Sequence, residues 1–383
     1  MKICVIGGYA PSLVNFRGPL LQAMVSRGHS VAAVAPRCLQ SDAIEKRLGA
    51  INIRFRPIPL ARAGFNPVAD LWSLCCLLCL LLAIKPDLVL AYTVKPVVYG
   101  GLAVRLARLL RSRRHPLRSA ALITGLGYVF TAAAEPIDRK RSALQAMSKV
   151  LYREGLRASQ VVFFQNPDDQ QEFQGLGLVP RAAKVVRVWG SGVDLALFPP
   201  RHLGKPHVFL MVARLLADKG VREYVQAARL VQARFPDAIF QLAGSLDPNP
   251  AAISKQELAA CIHEGVIHYL GEVRPVQPAL EACRYYVLPS YREGTPRSVL
   301  EAMATGRPVI TSDAPGCRET VINGVNGFLV PPRDPEALAE AMVRLIEQPE
   351  AETQRMAQAS LDLARERYDV HKVNAHMLEA MQL

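Results

Sequence analysis

Tyr285-Tyr-Val-Leu-Pro-Ser-Tyr-Arg-Glu-Gly-Thr-Pro-Arg-Ser-Val-Leu-Glu-Ala-Met-Ala304 carries the first architectural signal in this chain. Tyr285 to Leu288 is an apolar run without polar alternation, and Pro289 ends it. A short polar loop follows, carrying Glu293 and Gly294. Thr295 reads as a helix cap and Pro296 as the first helical residue, with the helix running through Glu301 to Ala304. An apolar strand that feeds a helix through a short loop is half of a strand–helix–strand crossover. Such crossovers build parallel sheets covered on both faces.

The same pattern repeats in both directions from this stretch. Upstream strands are expected at Ile3–Ile6, Val31–Val34, Ile53–Ile58, Leu88–Tyr92, Ala121–Thr124, Val161–Phe164 and Val185–Val188. A second series comprises Val208–Val212, Ile239–Ala243, Val266–Leu270, Tyr285–Leu288, Val309–Thr311 and Phe328–Val330. Two tandem series in 383 residues predict two doubly wound α/β domains. The boundary falls in Asp194–Pro206, where Phe198-Pro-Pro-Arg-His-Leu-Gly-Lys-Pro206 breaks any regular element. The expected domains are residues 1–195 and 196–365. A last helix, 366–383, is expected to pack back on the first domain. Ligands of such folds sit at the carboxyl ends of the strands, so a cleft between two facing domains is the expected site.

Charge is divided unevenly. Residues 1–190 hold 26 Lys and Arg against 10 Asp and Glu, whereas the remainder hold 20 against 23. The basic half predicts an anionic partner: nucleic acid, an anionic membrane surface or a phosphorylated substrate. Arg105, Arg108, Arg111, Arg113, Arg114 and Arg118 crowd one helix and its loop, and Arg139, Lys140 and Arg141 form a second cluster. Both also read as solvated basic faces. Neither has interleaved aromatics or a nucleic-acid-binding motif, which disfavours nucleic acid.

The eight cysteines show no zinc spacing and read as buried, reduced thiols of a cytoplasmic protein. The N-terminus runs straight into a strand, so no signal peptide is expected. Leu71 to Ile84 is the longest apolar run. It is shorter than the roughly 20 residues a bilayer requires. It reads first as a buried helix, the common fate of such runs in α/β cores, and second as one lying in a membrane interface.

The residues able to do chemistry cluster at predicted strand ends. A helix N-terminus after Pro289 offers free N–H groups to a phosphate. Glu293 and Glu301 suit sugar or ribose hydroxyls, since a carboxylate accepts two hydrogen bonds from a diol. The stretch reads equally as a capped helix with two solvated acids. Val208 to Gly220 is a strand running into a turn that carries Arg214 and Lys219, two cations suited to a diphosphate. In isolation the pair also reads as a basic surface loop.

Arg214-x-x-x-x-Lys219-Gly220 followed by Glu293-x-x-x-x-x-x-x-Glu301 resembles the family 4 glycosyltransferases, over essentially the whole chain. The resemblance implies a retaining enzyme of the GT-B fold, two Rossmann-like doubly wound domains facing a cleft. It implies that Arg214 and Lys219 bind the donor diphosphate, Glu293 the donor sugar and Glu301 the nucleotide ribose. Gly8, Gly244, Glu272, Val273, Gly294, Thr295, Pro296, Arg297 and Ser298 are the further donor-site residues expected. Val14-Asn-Phe-Arg-Gly-Pro-Leu20, Lys85-Pro-Asp-Leu-Val89, Thr93-Val-Lys-Pro-Val-Val-Tyr-Gly100 and Thr124-Gly-Leu-Gly-Tyr128 resemble the subgroup that builds bacterial surface glycans. That implies a UDP-sugar donor and an undecaprenyl-diphosphate-linked acceptor, with Asn15, Arg17, Lys95, Thr124, Gly125 and Gly127 as acceptor-side residues. It also implies a peripheral place on the inner face of the cytoplasmic membrane.

Two departures from the family pattern stand out. The first turn orders its residues Gly7-Gly8-Tyr-Ala-Pro11-Ser12, and Thr124-Gly-Leu-Gly127 stands where many members carry a histidine. No first-domain carboxylate is placed for a covalent intermediate, so a front-face substitution is expected. Protein cations are expected to replace a metal, leaving no cofactor. Two other readings stay open: a nucleotide-sugar epimerase of the same architecture, and a catalytically silent nucleotide-binding scaffold.

Overall fold

The computed structural model spans Met1–Leu383 and describes all but residues 62–63, 65, 111–115, 126–138, 204–206 and 248–251, and the side chains of 139–144. The chain divides into two compact units: Met1–Ser191 with Val373–Leu383, and Gly192–Lys372.

The first unit is built on seven strands: β1 (Lys2–Ile6), β2 (Ser30–Ala35), β3 (Arg54–Pro57), β4 (Leu88–Tyr92), β5 (Arg118–Ile123), β6 (Val161–Phe164) and β7 (Lys184–Arg187). They form one parallel sheet in the order β3-β2-β1-β4-β5-β6-β7. Successive side chains on a strand point to opposite faces, so each strand feeds two cores. Ile3, Val5, Leu88 and Leu90 face one side and Cys4, Ile6, Val89 and Ala91 the other. The first core is closed by α1 (Ala10–Asn15), α2 (Gly18–Ser26) and α3 (Ser41–Gly49), with Met377, Leu378 and Met381 of the C-terminal segment. The second is closed by α4 (Pro67–Ile84), α5 (Gly101–Leu110), α6 (Arg139–Leu156) and α7 (Pro167–Gly175), through Leu77, Leu81, Val104, Tyr152 and Phe173.

The second unit holds β8 (Val208–Val212), β9 (Ile239–Ala243), β10 (His268–Gly271), β11 (Tyr285–Leu288), β12 (Val309–Ser312) and β13 (Gly327–Val330), parallel in the order β10-β9-β8-β11-β12-β13. Its helices are α8 (Val221–Gln232), α9 (Lys255–His263), α10 (Gln277–Ala282), α11 (Arg297–Ala304), α12 (Pro335–Glu347) and α13 (Glu350–Leu363), and α14 (Val370–Ala380) follows. Helix α8 buries Val221, Tyr224, Val225, Ala228 and Val231, an apolar stripe at helical spacing. Asp334 caps α12 through Ala337 N–H, with Pro335 as its first residue.

Every expected strand is present, with ends moved by register. Strand β5 starts at Arg118 because Arg118 to Ala120 already pair with Leu88 to Leu90. Helix α11 starts one residue later than expected: Pro296, in extended conformation, takes the cap position assigned to Thr295. The larger corrections concern α4. It covers the second core on one face and is not buried around its girth: Asp70, Ser73, Leu77 and Leu81 are its only buried residues, and Cys75 and Cys79 are exposed rather than buried thiols. The run is apolar on all sides, so its composition carries no signal for which face packs.

Candidate functional site

In a doubly wound sheet, the two neighbouring strands whose connections leave in opposite directions open a crevice at their carboxyl ends. In the second unit these strands are β8 and β11. Arg214 and Lys219 follow β8, and Glu293 follows β11. Lys219 Nζ donates to Glu293 Oε1 at 2.6 Å, with only 13% and 18% of the two side chains exposed. Burial disfavours the ammonium, but Glu293, with Asp218 adding to it, outweighs that and raises the Lys219 pKa. Arg214 lies close enough to oppose this rise. Its Nη1 donates to Asp247 Oδ2 at 2.9 Å.

The loop around Glu293 is tightly determined. Ser290, fully buried, donates its hydroxyl to Glu293 Oε1 at 2.9 Å, and Glu293 N–H donates to Pro315 O at 2.9 Å. A Cβ at Gly316, which has φ +80°, would collide with the Glu293 carbonyl oxygen. A Cβ at Gly220 (φ +74°) would likewise strike Pro289 O, so only glycine lets the Lys219 turn approach the end of β11. Just beyond, α11 begins at Arg297, and the Pro296 cap position supplies no side-chain hydrogen bond to its first turn. Gly294, Thr295 and Pro296 lead into it. Arg297 Nε donates to Glu301 Oε1 at 2.8 Å. Burial raises the Glu301 pKa and Arg297 partly offsets that. Tyr286, paired through its hydroxyl with Ser298, also donates to Val212 O at 3.1 Å, tying α11 to the end of β8. Gly244 closes β9 and accepts from the Tyr269 hydroxyl at 2.7 Å. Glu272 and Val273 follow β10, and Glu272 pairs with Arg274 on the surface.

Sequence reasoning missed Ser290, Asp247, Pro315 and Gly316. Asp247 meets Arg214 because β9 lies beside β8, and Gly316 meets Glu293 because β12 lies beside β11. Strand order is not written locally. The only local trace is the Pro315-Gly316 pair just past a strand end.

The corresponding strands of the first unit are β1 and β4. Gly8 follows β1, and a Cβ there would sit 2.7 Å from Thr93 Oγ1, after β4. Lys95 Nζ donates to Asp70 Oδ1 at 2.6 Å, with 13% and 3% of the side chains exposed. Asp70 Oδ2 accepts from Asn66 N–H at 3.3 Å, and the Tyr99 hydroxyl also bonds this carboxylate. Arg17 is buried with its guanidinium 5.3 Å from the Tyr92 ring centre, whereas Asn15 is exposed. Burial pushes the Tyr92 hydroxyl up to about 12. Thr124 and Gly125 follow β5, and Gly127 lies outside the described residues. Of the basic cluster, Arg105 pairs with Glu154, Arg108 bonds Leu117 O and Ala158 O, and Arg118 bonds Met381 O. These three arginines therefore brace the first unit as well as charging it. Arg111, Arg113 and Arg114, and the side chains of Arg139, Lys140 and Arg141, lie outside the described residues.

Residues 206–348, which contain this second-unit cluster, match the family model described as glycosyl transferases group 1. The chain has the fold of the GT-B glycosyltransferases. It is similar to the N,N'-diacetylbacillosaminyl-diphospho-undecaprenol alpha-1,3-N-acetylgalactosaminyltransferase of Campylobacter jejuni, 28% identical over 91% of this chain and 90% of that protein. It is 26% identical, over 77% of this chain and 75% of the relative, to the UDP-Gal:alpha-D-GlcNAc-diphosphoundecaprenol alpha-1,3-galactosyltransferase of Escherichia coli. The solved structure of Anabaena Alr3699/HepE in complex with UDP and glucose shares the fold, with a TM-score of 0.76 at 20% identity over 100% of this chain and 99% of that one.

Proposed function

We propose that this glycosyltransferase moves a hexose or N-acetylhexosamine from a UDP-sugar to a polyprenyl-diphosphate-linked saccharide with retention of configuration, in the synthesis of a bacterial surface glycan. The observation that carries the reading is the Lys219–Glu293 pair, 2.6 Å apart at the β8/β11 crevice of the group 1 domain. The names of the two relatives support the choice of substrates.

In this scheme Arg214, Lys219 and the N-terminus of α11 take the donor diphosphate. A diphosphate gives the Lys219 ammonium a second anion and frees Glu293 for hydroxyls of the donor sugar. Glu301 takes the ribose diol. The bond from the anomeric carbon to the diphosphate oxygen breaks as the acceptor hydroxyl bonds the same carbon on the same face. The hydroxyl proton passes to the departing oxygen. The chain contributes positioning and stabilisation of the charge on the leaving group. Arg214 and Lys219 supply positive charge where other transferases use a divalent ion, so full activity is expected in EDTA. The excess of Lys and Arg in residues 1–190 draws the enzyme to the inner, anionic face of the cytoplasmic membrane.

The test is a panel of UDP-sugars with and without a polyprenyl-diphosphate sugar, read by product mass. A transferase lengthens the lipid-linked saccharide. Conversion of free UDP-sugar without acceptor would instead mark an epimerase, and no product at all a silent scaffold. Strict dependence on added Mg²⁺ would refute the metal-free scheme.

A further inference from the structure

Helix α4 is apolar on the face it leaves exposed as well as on the face it buries. Its buried stripe begins with two polar residues, Asp70 and Ser73, before Leu77 and Leu81. Ser73 is satisfied by Ala69 O at 2.8 Å and by Pro59 O, and Asp70 by Lys95. The opposite stripe, Val68, Leu71, Trp72, Cys75 and Cys79, falls at helical spacing and faces outward, with Val68 80% and both Leu71 and Trp72 61% exposed. No charged residue interrupts Leu71 to Ile84. On α5, which packs beside α4 over the same core, Leu106, Leu109 and Leu110 are exposed as well. A helix that seats one leucine-rich face on the core and leaves a second apolar face exposed presents that second face to an apolar medium.

We propose that the outer face of α4, continued by α5, inserts into the surface of an anionic bilayer, with Trp72 at the headgroup level. This rests on the membrane-bound acceptor proposed above and names the element that docks. Charge selects the occupant. A second copy of this face would oppose two strongly basic units, whereas anionic headgroups are attracted by them. Exposed Lys85, immediately after α4, adds a cation at its end. Docking also has a consequence for the acceptor. The inner face of the same helix holds Lys95 through Asp70 at the β1/β4 crevice. A helix seated in the headgroup layer therefore carries that crevice to the depth at which a lipid-linked diphosphate lies.

The experiment uses the full chain and vesicles of phosphatidylcholine with phosphatidylglycerol, without donor or acceptor, so it reads docking whether or not the transfer reading holds. A Trp189→Phe background leaves Trp72 as the only tryptophan of the two in the chain. Co-sedimentation with the vesicles and a blue shift of Trp72 emission are expected. In the chain with both tryptophans, Leu71→Glu/Cys79→Glu should lose at least about tenfold in partition while keeping its far-UV circular dichroism and UDP affinity. The same variant should raise KM for acceptor embedded in vesicles and leave kcat on a short-chain, water-soluble acceptor unchanged. Undiminished partition of the variant, or an unshifted Trp72 spectrum, would overturn the proposal. So would a dimer that the substitutions split, in a chain that ignores vesicles.

Discussion

Each unit holds a largely buried lysine–carboxylate pair beside the carboxyl end of a central strand, and the two pairs are built differently. In the first, Lys95 meets an acid from the helix α4, and Asp70 is held further by Asn66 N–H and Tyr99. In the second, Lys219 meets an acid from a loop, and Glu293 is fixed by Ser290 and by contacts of its own backbone. The first pair is nearly sealed and ties a helix to a strand end. The second is more open and lies in the loops that precede a helix N-terminus. The first pair braces its unit, and the second is the one assigned to the donor in the function proposed above.

Asp70→Ala should break the comparison most sharply. It strands Lys95 in a mostly buried site, and loss of one partner of such a pair costs about 3–5 kcal/mol. The expected result is a markedly lower denaturant midpoint for the first unit, with UDP binding by the second retained. Asp70→Leu with Lys95→Met should recover most of that stability, because apolar replacement of both partners is often close to neutral.

Glu293→Gln should act in the opposite manner. Turnover should fall by about 10²- to 10³-fold, the scale of one lost electrostatic contact at a reacting centre, with little change in melting temperature. Near-normal turnover would remove Glu293 from the site. Arg297→Ala sharpens the electrostatics further along α11. Burial already raises the Glu301 pKa and Arg297 restrains it. Without Arg297 the carboxylate should take up its proton at still higher pH. The acid limb of UDP affinity, measured by calorimetry, should therefore move upward. Ser290→Ala should have the smallest effect, about 1 kcal/mol or several-fold in kcat/KM, because it removes one hydrogen bond that orients Glu293.

The β-strands were legible because a strand buried on both faces leaves an unbroken apolar run, and the helix after β11 because its loop, proline and periodicity agree. Lys219 and Glu293 could be named from spacing and resemblance. That they touch could not, because 74 residues separate them and only the β8–β11 adjacency closes the gap. Asp247, the partner of Arg214, and Pro315, which accepts from the Glu293 N–H, were hidden for the same reason.

Helix α4 shows the boundary most clearly. Its amino acids alone determined that Leu71 to Ile84 would be helical and apolar, since the stretch is rich in leucine and holds no glycine or proline. An apolar surface on every side has no period, so nothing local distinguishes the face that meets the sheet from the face left outside. The tertiary structure made that choice when the parallel sheet put Lys95 opposite Asp70. Pairing the Lys95 ammonium with Asp70 fixes the start of the helix inward, Leu77 and Leu81 follow on the same face, and the equally apolar opposite face is left outside.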